Sequence, residues 1–202
     1  QINYTWHGSI LHYESRGNKW KKEYYRICLS TEVRNQPKYK DTGQRYWQPW
    51  QSPVMLFMTP AIDAALVAKT QIDTLYLVEG ELKALAAYNF SVLPYKLPVK
   101  YKDLKPLHIM GMPSINGYKE KGTKNIHWQI EHVINTCNPK RIVIVHDADF
   151  RKMPRWDPND DNLKWKDLGK RAWDFYKSVV EIKELLSDTT TEVYYCHINE
   201  TY

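Results

Sequence analysis

Cysteine is scarce: Cys28, Cys137 and Cys196 are the only three in 202 residues, and no two share a paired spacing. That excludes a zinc motif or a disulfide framework, and each thiol is expected to be a small buried side chain in a reducing, cytoplasmic setting. No apolar run is long enough to span a bilayer and no secretory signal pattern is present, so no membrane partner is expected. Internal repeats and low-complexity tracts are also missing. The first residue is Gln1, not Met, which leads to the expectation of a fragment. What the chain does have is 15 Tyr, 8 Trp and a formal net charge of +6, a balance that favours polyanion partners.

Most of that charge sits in residues 1–58, where nine cations face four anions. This stretch lacks helical periodicity. Tyr25, Ile27 and Leu29 have strand spacing, residues 36–53 are polar and proline-broken, and Val54–Met58 is a further strand candidate. A small basic region, β-rich or irregular, is expected. Its cations interleave with Trp20, Tyr24, Tyr25, Tyr39, Tyr46, Trp47 and Trp50. Cations that follow phosphates beside rings that stack on bases suit a single-strand groove, with Lys19, Trp20, Lys21, Lys22, Arg26, Arg45 and Trp47 as candidates. The same composition suits rings filling a small core under solvated lysines.

From residue 59 the pattern becomes regular. Thr59-Pro60 is a good cap and first turn for a helix reaching Lys69. Leu75–Val78 is a continuous apolar run, the mark of a buried strand, and Glu81–Tyr88 reads as a helix with Leu82, Leu85 and Ala86 on its apolar face. His108–Met112 is the next strand, followed by the loop 111–117. A helix is expected over 124–136, capped by Thr123, with Ile126, Ile130, Val133 and Ile134 inward. Arg141–Val145 is the most strand-like segment of all. Residues 151–166 form a charged, proline-broken insertion. A long amphipathic helix over 167–186 and a last strand over 192–198 complete the order.

Alternating helices and strands imply a mostly parallel sheet, here four-stranded, with helices on both faces. In such sheets the C-terminal strand ends share one edge, where ligands bind. Glu79-Gly80 ends one strand, and Asp147-Ala148-Asp149 follows another. If the two strands are neighbours, three carboxylates converge, and a divalent cation would relieve their repulsion. The Gly111, Ser114, Asn116 and Gly117 loop could offer backbone N–H groups to a phosphate, or be an ordinary connection.

Glu-Gly after one strand and Asp-x-Asp after a later one resembles the Toprim domain, shared by bacterial-type primases, type IA and type II topoisomerases and some nucleases. The resemblance is carried by Leu75–Glu81, Ile142–Asp149 and the helix start Gly169-Lys170-Arg171-Ala172, and it covers about residues 72–198. Within that superfamily Glu79-Gly80-Glu81-Leu82-Lys83 looks most like the primase branch of phages, plasmids and mobile elements. Those primases usually carry Asp where this chain has Lys83. The zinc-binding module of bacterial primases is not in these residues, and the further acidic motif common after the last Toprim strand would begin near Tyr202.

The resemblance implies a Toprim-like Rossmannoid α/β domain over 59–202 beside the basic 1–58 region. It implies a magnesium- or manganese-dependent nucleotidyltransferase, most like a DNA primase in replication. The partners would be single-stranded DNA, nucleotides and a replicative helicase domain or subunit. Glu79, Asp147 and Asp149 would hold Mg2+ or Mn2+, with Glu79 or Lys83 assisting catalysis and Gly80 among the phosphate contacts. A Toprim nuclease and a non-catalytic nucleic-acid-binding module are the alternatives.

Overall fold

The computed structural model describes residues 1–14, 21–40, 46–49, 52–93, 105–146 and 170–196. They fall into two compact units, Gln1–Val54 and Met55–Tyr202.

The first unit is built from short antiparallel pairings. Strand β1 (Ile2–Asn3) pairs with β6 (Tyr25–Cys28), which pairs with β7 (Tyr46–Trp47). Two further ladders join β2 (Thr5–Trp6) to β3 (Ser9–Ile10) and β4 (His12–Glu14) to β5 (Lys21–Glu23). Two single-turn helices, α1 (Thr31–Arg34) and α2 (Pro37–Lys40), interrupt the segment between β6 and β7. Strands this short bury little by themselves, and the unit closes on tyrosines. Tyr4, Tyr13 and Tyr24 are buried, with Tyr24 edge-on to Tyr4 at 4.7 Å and to Tyr13 at 6.0 Å between ring centres. Edge-to-face pairs of this kind add about 0.5–1.5 kcal/mol beyond their burial. Burial pushes the Tyr4 hydroxyl far above the usual phenol range.

The second unit is an α/β layer structure. Its elements are β8 (Phe57–Met58), α3 (Pro60–Ala68), β9 (Thr74–Glu79), α4 (Glu81–Val92), β10 (His108–Met112), α5 (Trp128–Cys137), β11 (Arg141–Val145), α6 (Lys170–Leu185) and β12 (Glu192–Tyr195). The sheet has five strands in the order β12-β11-β9-β10-β8. All pairings are parallel except β10 with β8. Phe57 and Met58, expected to belong with the N-terminal region, thus form a fifth, antiparallel edge strand of this sheet. Leu75, Leu77, Ile109, Met110, Ile142 and Ile144 on its strands are fully or almost fully buried. Each such side chain contributes about 1.5–3 kcal/mol by leaving water. The helices pack on it: α4 lies against β9 and β10, α3 against β10 and α5, and α6 against β12.

Four local expectations are corrected. Helix α5 starts at Trp128, not Lys124, because Lys119 and Ile126 form a β-bridge that takes the preceding residues out of helical geometry. Its cap is the His127 ring, which accepts from the Gln129 N–H, and not Thr123. On α4 the buried face carries Glu81, Ala84 and Ser91, while Leu82 is 45% exposed and Ala86 is exposed. The cause is Gly111: a Cβ there would stand 3.0 Å from the Glu81 Cα and 3.1 Å from the Ala84 Cβ, so only a small residue fits between helix and strand. Finally, only Cys137 is buried, and Cys28 and Cys196 are exposed at strand ends.

The Thr59 cap also works differently from the expectation. Its hydroxyl accepts from Ile109 N at 3.1 Å, and its backbone N–H donates to the Ile109 carbonyl at 3.1 Å. Thr59 therefore tacks the start of α3 to β10. No described helix is long and apolar enough to cross a membrane.

Candidate functional site

The strand order creates a topological switch. From β9 the chain moves to β10 on one side, then returns to β11 on the other. Connections leaving in opposite directions open a crevice at the C-terminal ends of the two central strands, where open α/β sheets hold ligands. Here those strands are β9 and β11. Register aligns Val78 with Val145, so Glu79 and His146 follow side by side. On the opposite flank Met112 is level with Glu79.

Glu79 ends β9 with a side chain 14% exposed, within reach of solvent but set against His146. Gly80 then turns the chain into α4 with φ of +103°, a conformation that L side chains rarely adopt. Its N–H donates to the Met112 carbonyl at 2.7 Å, and its carbonyl accepts from Ala84 N at 3.1 Å. The turn is therefore tied to both the sheet and the helix. The stem of Lys83 covers Gly80, its Cδ 3.7 Å from where a Cβ would be. Lys83 thus folds back over the turn that follows Glu79.

His146 was not singled out in the sequence. It is buried, with Nδ1 3.7 Å from Glu79 Oε2 and Nε2 2.6 Å from Ser178 Oγ on α6. Ser178 Oγ also donates to the Phe175 carbonyl at 2.7 Å. A hydroxyl has one proton, so Ser178 accepts from His146, which puts a proton on Nε2 and leaves Nδ1 as the atom that meets Glu79. The Phe175 ring stands edge-on to the imidazole at 5.1 Å. Acid, imidazole and serine in this order resemble a nucleophilic relay, but Ser178 is 1% exposed and its proton is committed to a helix carbonyl. It is a support, not a nucleophile.

The loop after β10 is held by the same helix. Ile115 packs on Phe175 and Tyr176. Tyr118 donates to Glu181, and Lys119 Nζ lies 2.8 Å from Glu181 Oε2. Burial and Glu181 push the Tyr118 hydroxyl far above the usual phenol range. Burial raises the Glu181 carboxyl, but bonds from Lys119 and Tyr118 with the nearby Lys177 outweigh that and hold it below the ordinary range. Ser114 and Asn116 remain exposed at the loop tip, whereas Gly111 and Gly117 are buried. A Cβ on Gly117 would stand 2.9 Å from Pro113 Cδ, so this glycine serves the tight turn.

Asp147 and Asp149 lie outside the described residues, as do Lys19, Trp20 and Arg45. Among the described residues no three His, Cys, Asp or Glu side chains gather as a metal site. In the first unit Lys22 is exposed, the Arg26 guanidinium lies 4.6 Å over the Tyr46 ring, and Trp47 is half-buried with its ring 5.9 Å from Tyr25. Lys21 lies in β5. Tyr24, one of the interleaved rings, belongs to the core. A surface recess at the N-terminal strand ends is lined by Gln71, Asp73, Asn138, Lys140, Arg141 and Glu192. It lies at the opposite end of the strands from Glu79, and its charges are exposed ion pairs around Asp73. The chain matches no protein-family model, no curated protein and no solved structure.

Proposed function

We propose that the second unit is a Toprim-like, Mg2+-dependent nucleotidyltransferase, acting as a primase on single-stranded DNA in the replication of a phage, plasmid or mobile element. The observation that supports it most is Glu79 at the topological switch, on the strand paired in parallel with the one that leads into Asp147-Ala148-Asp149. The donor chemistry of Glu79 suits a hard divalent ion: a carboxylate at the end of its strand, still reached by solvent.

In this reading Glu79, Asp147 and Asp149 hold the metal. When bound, Mg2+ supplies compensation for charge developing on the phosphoryl group. Where Glu79 does not complete the metal site it would take up or return the proton of the attacking hydroxyl, and Lys83, folded over Gly80, would meet a nucleotide phosphate or pair with Glu79. Ser114 and Asn116, exposed in the loop that follows Met112, would line the same sheet edge as Glu79. Lys22, Arg26 and Trp47 give the basic first unit its contacts to the template strand. A replicative helicase domain or subunit would be the natural partner.

The test is primer synthesis from labelled ribonucleotides on single-stranded DNA with Mg2+. Glu79→Gln and Asp147→Asn should each abolish it while circular dichroism stays unchanged. Full activity in either variant removes this site from consideration. Cleavage of the DNA without nucleotides would favour a nuclease. Salt-sensitive binding without turnover would favour a non-catalytic module.

A further inference from the structure

The β1-β6-β7 sheet of the first unit has two unlike faces. Side chains alternate along a strand, so the register divides them. Ile2 is buried opposite Arg26, and Tyr46 lies on that same face with the Arg26 guanidinium 4.6 Å over its ring. The other face carries Asn3, Tyr25, Ile27 and Trp47. Asn3 is exposed and the other three are half-buried. Trp47 stands directly across from Ile27, and its ring lies 5.9 Å from that of Tyr25, tilted by 40°. The core is made by Tyr4, Tyr13 and Tyr24. Tyr25 and Trp47 are a second set of rings, and both keep surface in water.

The surroundings give the charge of a partner. Cations outnumber anions nine to four in residues 1–58. The described part of the connection from β6 to β7 carries Arg34, Lys38 and Lys40 against Glu32, and both lysines are exposed. It leaves the sheet where Cys28 pairs with Tyr46, one residue from Ile27 and Trp47. An acidic protein or an anionic lipid would match the lysines but not the rings. A strand of unpaired nucleotides offers both a line of negative charge and flat rings.

We propose that this face is a stacking platform for the unpaired bases of single-stranded DNA, with Tyr25 and Trp47 as its rings and Lys38 and Lys40 meeting the phosphates. The proposal rests on the functional reading above for its template strand, and it adds Tyr25, Lys38 and Lys40 to the contacts of that strand. The rings stand on paired strands, so their ordering cost is met in folding rather than in binding. Every base has a π-face, so such a site accepts any sequence, as a template contact must.

The test is binding of the full chain to labelled oligothymidylate and to an abasic strand of the same length, which keeps the phosphates and lacks the bases. The wild type should bind oligothymidylate about tenfold or more tightly than the abasic strand. Trp47→Leu and Tyr25→Leu should each shrink that preference and leave abasic binding unchanged, whereas Trp47→Phe, which keeps a ring, should retain most of it. Lys38→Gln with Lys40→Gln should weaken both strands alike and flatten the salt dependence. Equal wild-type affinity for the two strands overturns the platform, and that comparison needs no variant to fold. A preference kept in a folded Trp47→Leu chain also overturns it, and unchanged binding after both lysine substitutions overturns the phosphate contacts. Tighter binding of oligouridylate than of oligothymidylate overturns the choice of DNA. A ring-dependent preference without primer synthesis leaves the platform standing and removes the nucleotidyltransferase reading, and primer synthesis without the preference does the reverse.

Discussion

Gly111 of β10 faces Ala84 of α4 so closely that a methyl group on the glycine would stand 3.1 Å from the Ala84 Cβ. The nearer obstacle is backbone, the Glu81 Cα at 3.0 Å, which cannot swing away as a side-chain tip could. Gly111→Ala should therefore destabilise the second unit by about 1–3 kcal/mol, through overpacking. Urea unfolding gives the answer directly. A midpoint at or above that of the wild type would mean that α4 lifts at no cost.

The Gln129 side chain acts as a substitute peptide group. Its Oε1 accepts from Leu56 N at 2.7 Å and its Nε2 donates to the Leu56 carbonyl at 3.3 Å, both buried. Gln129→Leu keeps the bulk and strands two backbone groups, which should cost about 2–4 kcal/mol. Hydrogen exchange at the Leu56 amide should accelerate well beyond the global change. Unchanged protection of that amide would contradict the assignment.

Glu181 gives a pH signature. Its carboxyl is held below the ordinary value in the folded chain, so its stabilisation is complete above the unfolded value of about 4.3 and is lost as pH falls through the lower folded one. Glu181→Gln should thus cost about 1–2 kcal/mol at pH 7, with the gap from wild type closing below about pH 4. Denaturation at pH 7, 5 and 3 checks the sign, and a gap that widened towards acid would count against it.

Asp73 should behave oppositely. It pairs with Arg141 and, at 3.3 Å, with Lys140, but all three are exposed. The Arg141 bond is the main cause that lowers its carboxyl. Solvent screening leaves such pairs with little to contribute. Asp73→Asn should leave the thermal midpoint unchanged within error at moderate salt. A clear drop would show the recess to be more than a solvated ion pair.

What could be read from the sequence follows how local each determinant is. Strands His108–Met112 and Arg141–Val145 are found with the boundaries their apolar runs dictate, because short apolar runs between turn residues carry no competing helical pattern. The face of α4 was misjudged because Gly111, in another element, decides it. The α5 cap was misjudged because a histidine ring performs a task usually given to Ser, Thr, Asp or Asn. At the site, Glu79 was legible from its place after an apolar run and before glycine. His146 was not, because its meaning depends on the pairing of β9 with β11 and on Ser178, a residue 32 positions away. Cys28 and Cys196 were expected inside because a lone thiol is usually buried, but both stand at the ends of strands on the surface.

The clasp of Gln129 on Leu56 has a bearing on inheritance. Leu56 is gripped by helix α5, and Phe57 and Met58 are laddered to β10, so the stretch from Met55 to Met58 belongs with the elements that come after it. A recombination event that joined this α/β unit to a different N-terminal region would leave the sheet whole only if the crossover fell before Met55. A crossover after Met58 would deliver a sheet with a bare edge and a glutamine with nothing to hold.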